Sequence, residues 1–132
     1  MECRLARSPL GSYWQCQVSL RIEYDDNTQQ RLSQVKEIKF GPNLVDPALL
    51  EDVLQRAQLA ILNPSVNPDL FVSYNLERPS HDFPLGSSKQ LQFSKNIVCV
   101  ELSGPDLTDL SFIDLPGKNL SIIWAYALMA YQ

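Results

Sequence analysis

"LQFSKNIVCVELSGPDLTDLSFIDLPG", residues 91–117, is the stretch on which the reading of the fold turns. Residues 89–103 carry Val, Ile and Phe around their centre, the composition of a strand. Gly104, Pro105 and Asp106 are turn residues, and "LSFID" is a second short strand. The pattern predicts a strand pair joined through Gly104, Pro105 and Asp106. The second strand is apolar almost throughout, as in the middle of a sheet covered on both faces. It ends on Asp114, and Leu115, Pro116 and Gly117 follow. Two readings of that ending stay open. Asp, Pro and Gly end many strands simply because they suit turns. Alternatively, Asp114 and Gly117 form an Asp-x-x-Gly element at the carboxyl end of a strand, where open α/β sheets gather their ligands.

Upstream, "CQVSLRIEY" (residues 16–24) alternates without a fault. Cys16, Val18, Leu20, Ile22 and Tyr24 face one way, while Gln17, Ser19, Arg21 and Glu23 face the other. "ECRLAR" alternates likewise, and the Pro/Gly cluster "SPLGS" separates the two, so residues 1–24 read as a hairpin with one wet face. "DDNTQQ" is a polar loop, its two Asp a charged turn without the spaced oxygens of a calcium loop. The next clear element is a helix, "VDPALLEDVLQRAQLAILNP", with Asp46 at its N-cap and Pro47 at its first position. Leu49, Leu50, Val53, Leu54, Ala57 and Ile61 share one face; Asn63 and Pro64 end it. Residues 65–89 read as a long Pro/Ser/Asn-rich loop containing His81, the sole histidine, solvated in such a setting.

A chain of 132 residues suffices for one small domain. With 45% hydrophobic and 20% charged residues it is globular in composition, and a net charge of −4 argues against broad binding to nucleic acid or anionic lipid. Cys3, Cys16 and Cys99 are far apart and far from His81, which argues against zinc and for reduced thiols in a cytoplasmic protein. "MECRLARSPL" lacks the apolar run of a secretory signal, and the apolar "LSIIWAYALMAY" falls short of the ~20 residues that cross a bilayer. Trp14 and Trp124 read as packing anchors, and Arg4, Arg7, Arg21 and Lys36 form no dense basic run.

Residues 91–117 resemble the part of a dynamin-type large GTPase that leads into its DLPG motif. There, two neighbouring strands precede the motif, the first with a "VEISGP"-like ending. "RAQLAILNP" resembles the helical insert between the two switch regions of that family. The resemblance covers residues 1–117 and is most specific over 93–117. It implies an α/β fold: an incomplete P-loop-NTPase-like GTPase domain with a mixed sheet and one main helix. It also implies that Asp114 faces magnesium through a water and that the Gly117 N–H meets the γ-phosphate of GTP, while Leu115 and Pro116 open the second switch. That makes residues 114–117 the nucleotide-binding stretch, with no catalytic residue assigned.

The chain also departs from the family. It contains no GxxxxGK[ST] phosphate loop, "LGSSK" around Gly86 lacking the paired glycine, and no Asn/Thr-Lys-x-Asp guanine-reading motif. Residues 118–132 do not resemble a second switch and read as an apolar tail. The chain is thus expected to be the middle of a GTPase domain, holding GTP and Mg2+ weakly or not at all by itself. Self-association with dynamin-like relatives is the expected partnership, with membrane contact only through an intact relative. Two other functions compete: a non-catalytic piece that docks on such a relative through its sheet edges, and a hydrolase using Asp25, Asp26, Glu101, Asp106, Asp109 and Asp114. The latter lacks a matched acid and base in a pocket.

Overall fold

A computed structural model describes residues 2–7, 9, 13–77, 91, 94–105 and 110–113, the last four through their backbone. It is an α/β arrangement of five strands and one main helix. The strands are β1 (Glu2–Arg7), β2 (Gln15–Tyr24), β3 (Arg31–Lys39), β4 (Ile97–Gly104) and β5 (Leu110–Ile113); α1 spans Leu50–Leu62. The sheet is mixed and runs β3-β2-β4-β1-β5. β1 is parallel to β4 and antiparallel to β5, while β2 is antiparallel to both β3 and β4.

The alternation in β2 survives as a division between two faces of the sheet. Cys16, Val18 and Leu20 are buried with Cys3 and Leu5 of β1 and Val98, Val100 and Leu102 of β4. The register aligns them in rows, Val18–Val100–Cys3 and Cys16–Leu102–Leu5. The same face takes Trp14, Phe40 and Leu44, so Trp14 is the packing anchor its type suggests. The opposite face is less wet than expected. Ser19 is buried because its hydroxyl donates to Glu37 on the neighbouring strand (3.1 Å).

Neighbour relations differ from those expected in two places. β1 and β2 do not form a hairpin, because β4 lies between them, paired with β1 from Glu2↔Cys99 to Arg7↔Gly104. Nor do β4 and β5 pair with one another: β1 separates them, and β5 ends the sheet instead of occupying its middle. The physical reason is the same in both cases. A period of two specifies which face a side chain takes, not which strand lies alongside. β3 carries no clear strand signature in its sequence. Its apolar residues Leu32, Val35 and Ile38 recur every third position, and most of the strand is exposed at the sheet edge.

α1 packs across β2 and β4, presenting Leu50, Leu54, Ala57, Ala60 and Ile61 to the core. Asp46 caps the approach, its carboxylate accepting from the Ala48 N–H at 3.0 Å, and Pro47 follows. The first turn, Pro47–Leu49, is a 3-10 turn. Its three-residue pitch leaves Leu49 out of phase with the apolar stripe, and Leu49 is 51% exposed rather than on the buried face. Asn63 ends the helix, its amide donating to Leu59 O at 2.8 Å.

Residues 65–77 are more ordered than a plain loop. A second 3-10 turn, Pro68–Phe71, is capped by Asn67, which accepts from the Asp69 N–H at 3.0 Å. Phe71 is fully buried and meets Tyr74 edge-on at 6.2 Å between ring centres. Burying a side chain of this size stabilises the fold by about 1.5–3 kcal/mol, enough to hold a short polar segment against the helix. Among the described residues, no helix is long and apolar enough to cross a membrane. His81, Asp106, Asp109, Trp124 and residues 118–132 lie outside the described residues.

Candidate functional site

Asp114, Leu115, Pro116 and Gly117 also lie outside the described residues. The strand that leads to them is placed. Ile113, its last residue, is opposite Glu2 at the start of β1. β5 therefore finishes at the end of the sheet where β1 and β4 begin. The carboxyl ends of that parallel pair lie at the other end, so the usual placement of ligands beyond parallel strand ends does not carry over to β5.

The end of the sheet beside Ile113 holds a charged cluster on the face away from α1. Glu2 is buried and binds two guanidiniums: Arg4 Nε donates to its Oε1 at 2.7 Å, and Arg21 Nη1 donates to its Oε2. Burial disfavours the Glu2 charge, but the hydrogen bonds and charges of Arg4 and Arg21 outweigh it, leaving the carboxyl below its usual range. Cys99 lies between Ser19 and Glu2 in register. The sequence shows no dense basic run, yet β4 brings Arg4 and Arg21 onto one carboxylate. Alternation places Arg21 on this face; only the strand order reveals its partner.

The three thiols are free and buried. Desolvation pushes Cys3 up to about 12 and raises Cys16 and Cys99 as well. Burial thus favours the neutral thiol over the thiolate at all three.

A second polar cluster joins the β2–β3 turn to the start of β4. Asn96 Oδ1 accepts from the backbone N–H groups of Glu23 and Tyr24 at 2.8 and 2.9 Å. Its amide donates to Tyr24 O at 3.1 Å, and Ser94 Oγ donates to Asp26 at 3.3 Å. Asp25 accepts from the N–H groups of Asn27 and Thr28, and Thr28 and Asn27 lower its pKa. Burial raises that of Asp26. The Asp pair is thus a turn, as the sequence suggests, and both carboxylates are engaged in local hydrogen bonds. Glu101 lies elsewhere, lining a shallow groove with Arg4, Gln15, Gln17 and Asn43. These carboxylates do not converge as an acid–base pair. No set of three metal-ligating side chains gathers among the described residues, and Asp114 lies outside them.

The chain is similar to the interferon-induced GTP-binding protein Mx of Dicentrarchus labrax, with 25% identity over 107 residues. The match takes in 81% of this chain and 13% of that protein, so the chain spans about an eighth of the curated relative's length. No family model matches, and no solved structure does.

Proposed function

We propose that the chain is a segment of a dynamin-type GTPase and that Asp114, Leu115, Pro116 and Gly117 are its share of the nucleotide site. The observation that carries this reading is the similarity to a protein named for GTP binding. The DLPG sequence at residues 114–117 agrees with it. In this reading the Gly117 N–H donates to the last phosphate of the nucleotide, which a side-chain-free residue can approach closely, and the Asp114 carboxylate, an acceptor like the phosphate itself, would act only through a water on a bound magnesium ion.

These 132 residues contain no phosphate loop and no guanine-reading motif. A charge-assisted hydrogen bond contributes about 1.5–3 kcal/mol, and the single one from the Gly117 N–H falls short of the ~4 kcal/mol that a millimolar dissociation constant requires. The chain alone therefore holds GTP weakly and does not turn it over. An NMR titration with GTP and magnesium tests this: shifts at the amides of residues 113–117, reduced in Asp114→Ala, are expected only at millimolar GTP or above. Shifts confined to other residues would sink the site assignment; micromolar affinity by calorimetry would sink the weak-binding part.

A second reading is a non-catalytic piece that docks on an intact dynamin-like relative. It is favoured by β3, an exposed strand at a free edge of the described sheet. Lys36 and Lys39 blunt that edge against indiscriminate pairing. Co-elution of the chain with a full-length relative, lost on adding proline within β3, distinguishes this reading from nucleotide binding.

A further inference from the structure

The face of the sheet away from α1 carries a groove of about 330 Å3, lined by Arg4, Gln15, Gln17, Asn43, Glu101 and Ser103. It lies toward the end of the sheet where β1 and β4 finish, Ala6 being level with Ser103. Open α/β sheets take their ligands beyond the carboxyl ends of parallel strands. The volume is at the lower end of the range for small-molecule sites, about 300–1,000 Å3.

The charges of the groove are left open. Arg4 and Glu101 are partners in register, one strand spacing of about 4.8 Å apart, yet no salt bridge joins them. Arg4 turns its Nε to Glu2 at 2.7 Å, which leaves its two terminal nitrogens without a side-chain partner among the described residues. Glu101 is exposed, and among the described residues its carboxylate accepts no hydrogen bond. The amides beside them are half used. Asn43 Nδ2 donates to Gln15 Oε1 at 2.9 Å, so Gln15 Nε2 remains as a donor and Asn43 Oδ1 as an acceptor.

We propose that this groove binds a free α-amino acid. The ligand carboxylate accepts from the terminal N–H groups of Arg4, whose planar fork suits two oxygens. The ligand ammonium donates to the Glu101 carboxylate. The two charges of such a head group sit on one carbon, and their protein partners rise from adjacent strands. Gln15 Nε2 and Asn43 Oδ1, one donor and one acceptor, match a side-chain carboxamide, which makes L-glutamine the probe. Glu101 repels phosphate, so this groove is distinct from any nucleotide site and stands or falls independently of residues 114–117.

An NMR titration of the full chain with L-glutamine tests the proposal. Saturable shifts in the millimolar range are expected at the amides of Arg4, Gln15, Asn43 and Glu101. N-acetyl-L-glutamine lacks the ammonium and L-glutaminamide lacks the carboxylate, and each is expected to bind about fivefold more weakly or worse. Glu101→Gln leaves the Glu2–Arg4–Arg21 cluster untouched. It is expected to weaken L-glutamine and to abolish the preference for it over N-acetyl-L-glutamine. Equal binding of the three compounds overturns the proposal, as does a Glu101→Gln protein that keeps the preference. Shifts confined to other residues, or none at ~50 mM, overturn it too.

Discussion

The half of the sheet made of β3, β2 and β4 contrasts with the half made of β1 and β5. In the first, neighbours are all antiparallel, the helix lies over two of the three strands, and the loop at Asn96 ties one strand to the next. In the second, a six-residue strand and a four-residue strand complete the sheet from outside the helix footprint. Apolar alternation is clear in β2 of the first half and in β1 of the second. Stability therefore comes less from the pattern of a strand than from what packs over it and which links hold its ends.

The largest expected effect tests that contrast in the core. Leu54→Ala removes a fully buried side chain between α1 and the sheet and is expected to cost about 3 kcal/mol by urea unfolding. Leu5→Ala, in β1, is expected to cost measurably less; equal losses would break the division into two halves.

The next effect concerns the tie within the first half. Asn96→Ala leaves the N–H groups of Glu23 and Tyr24 without their acceptor and is expected to cost about 2 kcal/mol. A loss below experimental error would show that the turn is held by its own backbone bonds instead.

The smallest effect sharpens the other half and shows only in acid. Glu2 has a folded pKa below its ordinary 4.5, so its stabilisation is present above that pH and disappears as pH falls through the folded value. Wild type is expected to lose stability below about pH 4.5 more steeply than Glu2→Gln. Parallel pH curves for the two proteins would remove Glu2 as the anchor of β1.

Much of this fold is legible from residues alone, for identifiable reasons. The helix announces itself through Asp46, Pro47 and the Leu50–Leu54–Ala57–Ile61 spacing, all local signals. The buried face of β2 follows from a period of two. Strand neighbours do not, because Cys3 suits Val100 and Val18 equally well as far as apolar character goes. β3 escapes because an exposed edge strand has no need of alternation. The candidate site divides similarly: residues 114–117 stand out as a sequence motif, whereas the meeting of Arg4 and Arg21 at Glu2 depends on strand order that no local pattern encodes.

The Asn96 contacts also close a loop of chain. They pin residue 96 to residue 24, so β3, α1 and the 3-10 turn at Pro68–Phe71 all belong to one stretch whose two ends meet beside β4. Because Phe40, Leu54 and Phe71 within it are buried, an insertion there is accommodated where side chains reach solvent, as at residues 28–30, rather than anywhere along its span.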